Sequence, residues 1–231
     1  MSQPTSAHRS RKAPKKPLTA RQKLLRIILI TLGVLLTFSI ISVIVDVAKN
    51  SSYYSYLQNG GSGYEPLDIL FAPADYEENI LEDPNYLAMN RDIKYIEGAQ
   101  STEVSLDEDG SYYSEGLRFF QTYFKYVIDG DYEQYVTLFS ESYDESISYP
   151  IPKTFTMQKI HSISVDYRRY SDITVSKYEK KHYYVVKYQI YQNNGTFRDD
   201  IRPTDVLPLL FELTTVGDDT KITRIIKYTG V

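Results

Sequence analysis

The stretch FKYVIDGDYEQYVTLFS, from Phe124 to Ser140, decides how the chain is read. Before and into it, Leu117, Phe120, Phe124, Val127 and Ile128 recur at helical spacing after Ser114, forming an apolar stripe of about four turns. The stripe stops at Asp129-Gly130. Gly130 is placed to take the left-handed conformation that closes a helix. Asp131 can cap a second helix, with Gln134 three residues later completing a capping-box-like pair. That second helix offers Tyr135, Val136, Leu138 and Phe139 as its buried side. Two acids flanking a glycine suggest paired catalytic carboxylates. The helical pattern gives them other work, with Asp129 as terminator and Asp131 as cap.

Beyond the Pro150 to Pro152 break the apolar period changes from helical to alternating. Ile163, Val165 and Tyr167 share one strand face, and Tyr184, Val186, Tyr188 and Ile190 share another. Val206 to Leu213 is a nearly continuous apolar run, and Asn193-Asn194-Gly195 ends the strand that starts near His182. The last strand, Lys221 to Tyr228, follows the turn signal Gly217-Asp218-Asp219. Helices first and antiparallel strands after is an α+β order, with the helices covering one face of the sheet.

Upstream the chain changes character twice. Ile27 to Val45, IILITLGVLLTFSIISVIV, is an uncharged run of 19 residues and spans about 28 Å as a helix, close to the hydrocarbon thickness of a bilayer. A cleaved signal peptide would need a shorter apolar core and a small-x-small site, whereas Asp46-Val47-Ala48 puts an acid where a small residue belongs. The expected division is a basic cytoplasmic tail at 1–26, a transmembrane helix at 27–46, an acidic extracytoplasmic linker at 47–110 and a compact domain at 111–231. Eight cations and no acid precede the apolar run, so the N-terminus is expected in the cytoplasm and the rest outside. Those cations suit topology and anionic lipid better than nucleic acid, and no nucleic-acid partner is expected. Residues 51–110 hold 13 acids against Arg91 and Lys94, which predicts an extended, flexible tether. Two apolar islands interrupt it, Leu67 to Phe71 and the stretch from Tyr86 to Ile96. They read as strands or turns padding the domain, or else as linear motifs that fold onto a partner.

The order of first helix, Gly-Asp break, shorter aromatic helix and long strands resembles the nuclear transport factor two-like superfamily. The residues that carry the likeness are Val127-Ile128-Asp129-Gly130-Asp131-Tyr132, Leu138-Phe139 and the closing run Gly217 to Ile226. The resemblance covers roughly Ser111 to Val231. It implies an α+β fold in which helices pack into a strongly bent antiparallel sheet, a cone with an apolar pocket. Members include isomerases, dehydratases, ligand-binding proteins and membrane-anchored subunits of secretion and conjugation machines, and the last group shares this layout.

Composition excludes several chemistries. With no cysteine there is no disulfide, thiolate nucleophile or cysteine metal site, and three histidines, His8, His161 and His182, leave a His-rich metal site implausible. No nucleophile elbow, phosphate loop or dinucleotide fingerprint is present, so no catalytic residue, metal or cofactor is expected. Asp107-Glu108-Asp109 and Asp199-Asp200 read as solvated turns. His161, Asp166 and Tyr167 form the nearest acid-base set, but alternation puts His161 with Tyr167 and turns Asp166 away, so they share one pocket only across a bulge. Among 23 tyrosines, Tyr184 and Tyr188 are expected to face the cone interior with His161 as ligand-binding candidates, while Tyr183 and Tyr191 face outward as interaction residues. The function expected is a single-pass membrane protein whose outer domain assembles with envelope proteins, with self-association a further expectation. The alternative is a pocket that binds, or acts on, a small molecule or glycan.

Overall fold

The structure, a computed structural model, describes residues 21, 27–37, 61–108, 113–168, 172–176 and 178–230. The chain divides into two compact units, Met1–Ser51 and Ser52–Val231.

In the first unit residues 27–37 form a helix, α1. Its hydroxyls are satisfied internally: Thr31 Oγ1 donates to the Ile27 carbonyl at 3.0 Å and Thr37 Oγ1 to the Val34 carbonyl at 2.7 Å. Its apolar side chains are uncovered on every side, Ile27 through Ile30, Leu32 and Val34 through Leu36 all being exposed. Among the described residues no helix is long and apolar enough to cross a membrane. Residues 38–45 of the expected span lie outside the described residues, as does the basic tail apart from Arg21.

The second unit is α+β. A 3-10 turn (Ile80–Glu82) and a short helix α2 (Pro84–Leu87) lead into the hairpin β1 (Ile93–Glu97) and β2 (Gln100–Val104). Then come α3 (Glu115–Asp129), α4 (Tyr132–Thr137), β3 (Ile160–Tyr167), β4 (Ile173–Thr174), β5 (Glu179–Ile190), β6 (Leu209–Val216) and β7 (Asp219–Lys227). The seven strands make one sheet in the order β2-β1-β3-β5-β6-β7, with β4 on β5, and it does not close.

The helix break forms where the stripe stops. Ser114 caps α3 through Leu117 N–H, Gly130 closes it at φ 69°, and the Asp131 side chain accepts from Gln134 N–H to start α4. Leu117, Phe120, Phe124 and Val127 are buried against the sheet, each worth about 1.5–3 kcal/mol relative to exposure. Val136, Leu138 and Phe139 are only half-buried, so Tyr135 alone of the expected α4 set is fully inside.

Two expectations are corrected. The sheet is mixed, because β1 runs parallel to β3 from Ile93 opposite Ile163 to Glu97 opposite Tyr167. The acidic segment is no tether beyond residue 61, since β1 and β2 are strands of the sheet and Ile80, Tyr86, Ile93, Tyr95 and Val104 are core residues. Most of its acids are exposed while every second residue of β1 points inward, a pattern that bulk charge conceals. The islands pad the domain. Leu67 N–H donates to the Asp199 carbonyl at 2.9 Å, and the Tyr86 hydroxyl donates to the Ile160 carbonyl at 3.0 Å.

Candidate functional site

The inward faces of β3, β5 and β6 meet α3 in a lattice of rings. Phe120 lies 5.1 Å from Tyr184 and 5.4 Å from Phe211, Phe124 lies 5.5 Å from Tyr188, and Tyr184 stacks on Tyr167 at 4.9 Å. Tyr184 and Tyr188 therefore do face inward, but onto packed side chains. The cavity beside Tyr188 holds about 20 Å³, scarcely more than one water molecule.

A buried ion pair closes that interior. Arg198 donates from Nε to Asp200 Oδ1 at 2.5 Å and from Nη2 to Oδ2 at 2.8 Å. Its Nη1 donates to the Tyr188 hydroxyl at 2.9 Å, and the guanidinium lies 5.2 Å from the Tyr149 ring centre. This fork-to-fork geometry satisfies both charges where water is excluded, which a lone buried charge could not tolerate. Asp200, expected in a solvated turn, is buried, while Asp199 accepts from the Tyr64 hydroxyl at 2.6 Å. The Arg-Asp-Asp spacing carried no sign of this, because turns rich in Asp are ordinarily solvated.

His161 does not join the interior. Ser162 has φ 53°, and the β3–β5 register shifts between His161 and Ser164, so Ser162 and Ile163 together face the single residue Tyr188. The extra residue moves His161 off the face of Ile163, Val165 and Tyr167. It pairs with Gln189 on the outer face, where Ser162 Oγ lies 3.0 Å from Nδ1 and partial burial pushes its pKa down. Asp166 also faces outward, 3.4 Å from Arg168. The bulge thus brings His161 and Asp166 to one face and separates both from Tyr167.

Tyr167 has other partners. Its hydroxyl donates to Asp172 Oδ2 at 2.5 Å, and the same oxygen lies 2.9 Å from His182 Nδ1. Burial and then the Asp172 contact push the Tyr167 phenol well above the ordinary tyrosine value. Tyr167, Asp172 and His182 line neither cavity, and together they fasten the start of β4 to β5. Sequence reading missed the trio, since nothing in the spacing of 167, 172 and 182 marks it.

The outward pair divides as well. Tyr183 is buried in a small outer cluster with Val185, Leu210 and Ile226, so it is no exposed interaction residue. Tyr191 is half-buried and lines the larger cavity, an open groove of about 340 Å³. Ala72, Pro73 and Glu78 form one wall, with Met157, Gln158 and Lys159 before β3, Ile190 at the end of β5, and Tyr191, Gln192 and Asn194 after it as the rest. Lys159 is the organising charge. Its Nζ donates to Asp83 Oδ2 at 2.9 Å and Gln192 Oε1 at 2.8 Å, is ion-paired with Glu78 Oε1 at 2.8 Å, and stands 5.8 Å from the Tyr191 ring centre. Burial opposes the Lys159 charge, yet Glu78 and Asp83 outweigh it and raise its pKa. The hydrogen bond from Lys159 in turn lowers the Asp83 pKa. Gln192 has φ 53°, an uncommon conformation for a residue with a side chain, which marks the groove as a place where the backbone is held under constraint.

The chain matches no family model, no curated protein and no solved structure. Among the described residues no cluster of His, Cys, Asp and Glu could hold a metal ion.

Proposed function

We propose that the chain is a single-pass membrane protein of the cell envelope, with its N-terminus in the cytoplasm. Its outer α+β domain is an assembly module for a complex of the secretion or conjugation kind. The observation that carries this reading is the filled interior: aromatic side chains and the Arg198–Asp200 pair occupy the space in which a pocket enzyme would hold its substrate. What remains to engage partners is the surface. The uncovered apolar sides of α1 support membrane insertion of Ile27 to Val45, because water disfavours such exposure and a bilayer does not. The bulges in β3 and between Glu212 and Leu213 support a bent, cone-like sheet of the nuclear transport factor two-like kind. Self-association of the outer domains belongs to the same reading.

A second reading, a small-molecule or glycan site, is favoured by the groove at Tyr191, which is large enough for a small ligand. Crosslinking in cells with mass-spectrometric identification tests the choice. Reproducible protein neighbours of the outer domain are expected. A small ligand retained stoichiometrically by the purified protein in native mass spectrometry, with no crosslinked neighbour, would overturn assembly in favour of the pocket.

A further inference from the structure

The geometry points to the groove at Tyr191 as the receptor for a basic side chain, arginine or lysine, presented by a protein partner; this rests on the assembly reading. The argument begins with what the groove has left to offer. An ammonium has three N–H donors, and Lys159 hydrogen-bonds Asp83 and Gln192 and is ion-paired with Glu78. An incoming anion would find that lysine occupied. Two carboxylates against one ammonium also leave the site one negative charge in excess. Gln158 is buried and spends its amide nitrogen on Thr156 and Thr196. Asn194 spends its nitrogen on Thr156 and its oxygen on Thr196.

Glu78 is the accessible acid. Its side chain is 43% exposed against 19% for Asp83, and only its Oε1 is engaged by Lys159, so Oε2 is placed to accept from a guanidinium or ammonium. Tyr191, whose ring already lies beside the Lys159 ammonium, lines the same groove, and Met157 and Pro73 supply apolar contact for the methylene stem of the incoming side chain. Exposed acids Asp75, Glu77 and Glu82 flank the same wall and add long-range attraction. The excess negative charge and the exposed Glu78 carboxylate select a cation.

The test uses the full chain in nanodiscs of zwitterionic lipid, titrated with a labelled Ser-Arg-Gly-Arg-Ser peptide and with its uncharged citrulline counterpart. The arginine peptide is expected to bind at least about tenfold more tightly, the worth of a charge-assisted pair. Glu78→Gln should weaken it about tenfold and Tyr191→Leu about threefold, whereas Glu103→Gln on the remote β2 hairpin should leave it unchanged. Equal binding of the two peptides overturns the proposal, as does equal loss in the Glu78 and Glu103 variants, which would mean diffuse acidity alone. Free arginine binding as tightly as the peptide overturns the protein source. The Tyr191 variant keeps the test open if the Glu78 variant does not fold. Failure of the assembly reading would show separately, as an absence of crosslinked neighbours in cells while the peptide titration still discriminates.

Discussion

Gly116 and Gly130 are positions where α3 admits no side chain, for different reasons. At Gly130 the backbone is left-handed, and an added Cβ would stand 2.8 Å from Met157 N. Gly130→Val combines the left-handed penalty with a backbone clash and should cost on the order of 3 kcal/mol in chemical denaturation. A variant of unchanged stability would remove the helix-break assignment. At Gly116 the conformation is ordinary helix, but a Cβ would run into the Tyr184 hydroxyl. Gly116→Ala should therefore lose about 2 kcal/mol, and Tyr184→Phe on that background should recover part of it by removing the first atom met. Lys159 makes a prediction about pH. Because Asp83 is held below the ordinary carboxylate pKa, its contribution is complete above about pH 4 and is lost as pH falls through the lower folded value. The raised Lys159 pKa acts at the other end, where stability is lost only as pH rises above the ordinary lysine range. Lys159→Met should cost about 1–2 kcal/mol near neutrality, discounted for the exposure of Glu78, and should flatten the acid limb of a urea-midpoint profile.

At the scale of elements, the β3 bulge decides which side chains reach the interior. Ser162 sits at φ 53°, so Ser162→Val should destabilise by about 2 kcal/mol while Ser162→Gly stays within about 1 kcal/mol of the parent, as a thermal melt would show. The sharper prediction concerns the hairpin of β1 and β2. A chain beginning at residue 111, where composition places the domain boundary, lacks Ile80, Tyr86, Ile93, Tyr95 and Val104 and uncovers the long edge of β3. It should aggregate, whereas a chain beginning at residue 61 should give cooperative unfolding. These elements show where sequence reading works. The α3–α4 break was legible because a helical stripe, a left-handed glycine and a cap are all local. β5, β6 and β7 were legible because alternation and turn signals are local too. The β1–β3 pairing was not, because it joins segments about 70 residues apart and five-residue strands in acidic sequence give little periodic signal. The site was less legible still. Tyr191 was singled out from its strand, but the pairs of Lys159 with Glu78 and Asp83 are tertiary ones that no spacing announces, and the local Arg198–Asp200 pair reads from sequence as a solvated turn.

At the scale of the whole molecule, the proposed membrane topology governs which surfaces can meet a partner. Eight cations stand on one side of Ile27 to Val45, and positive charge is retained on the cytoplasmic side during insertion. On the proposed topology the acidic segment and the sheet domain lie outside, where the absence of cysteine carries no folding penalty. The same absence makes the topology directly measurable, since any introduced thiol is the only one in the chain. Asp218 lies exposed in the turn between β6 and β7, so Asp218→Cys should be labelled by a membrane-impermeant maleimide in intact cells. Ser6→Cys, within the basic tail, should be labelled only after permeabilisation. Reversed accessibility would place the groove at Tyr191 in the cytoplasm and turn the search for a basic partner to the other side of the membrane. Equal labelling of both positions in intact cells would mean that the apolar run does not span, and α1 would then need a protein partner to cover its exposed isoleucines and leucines.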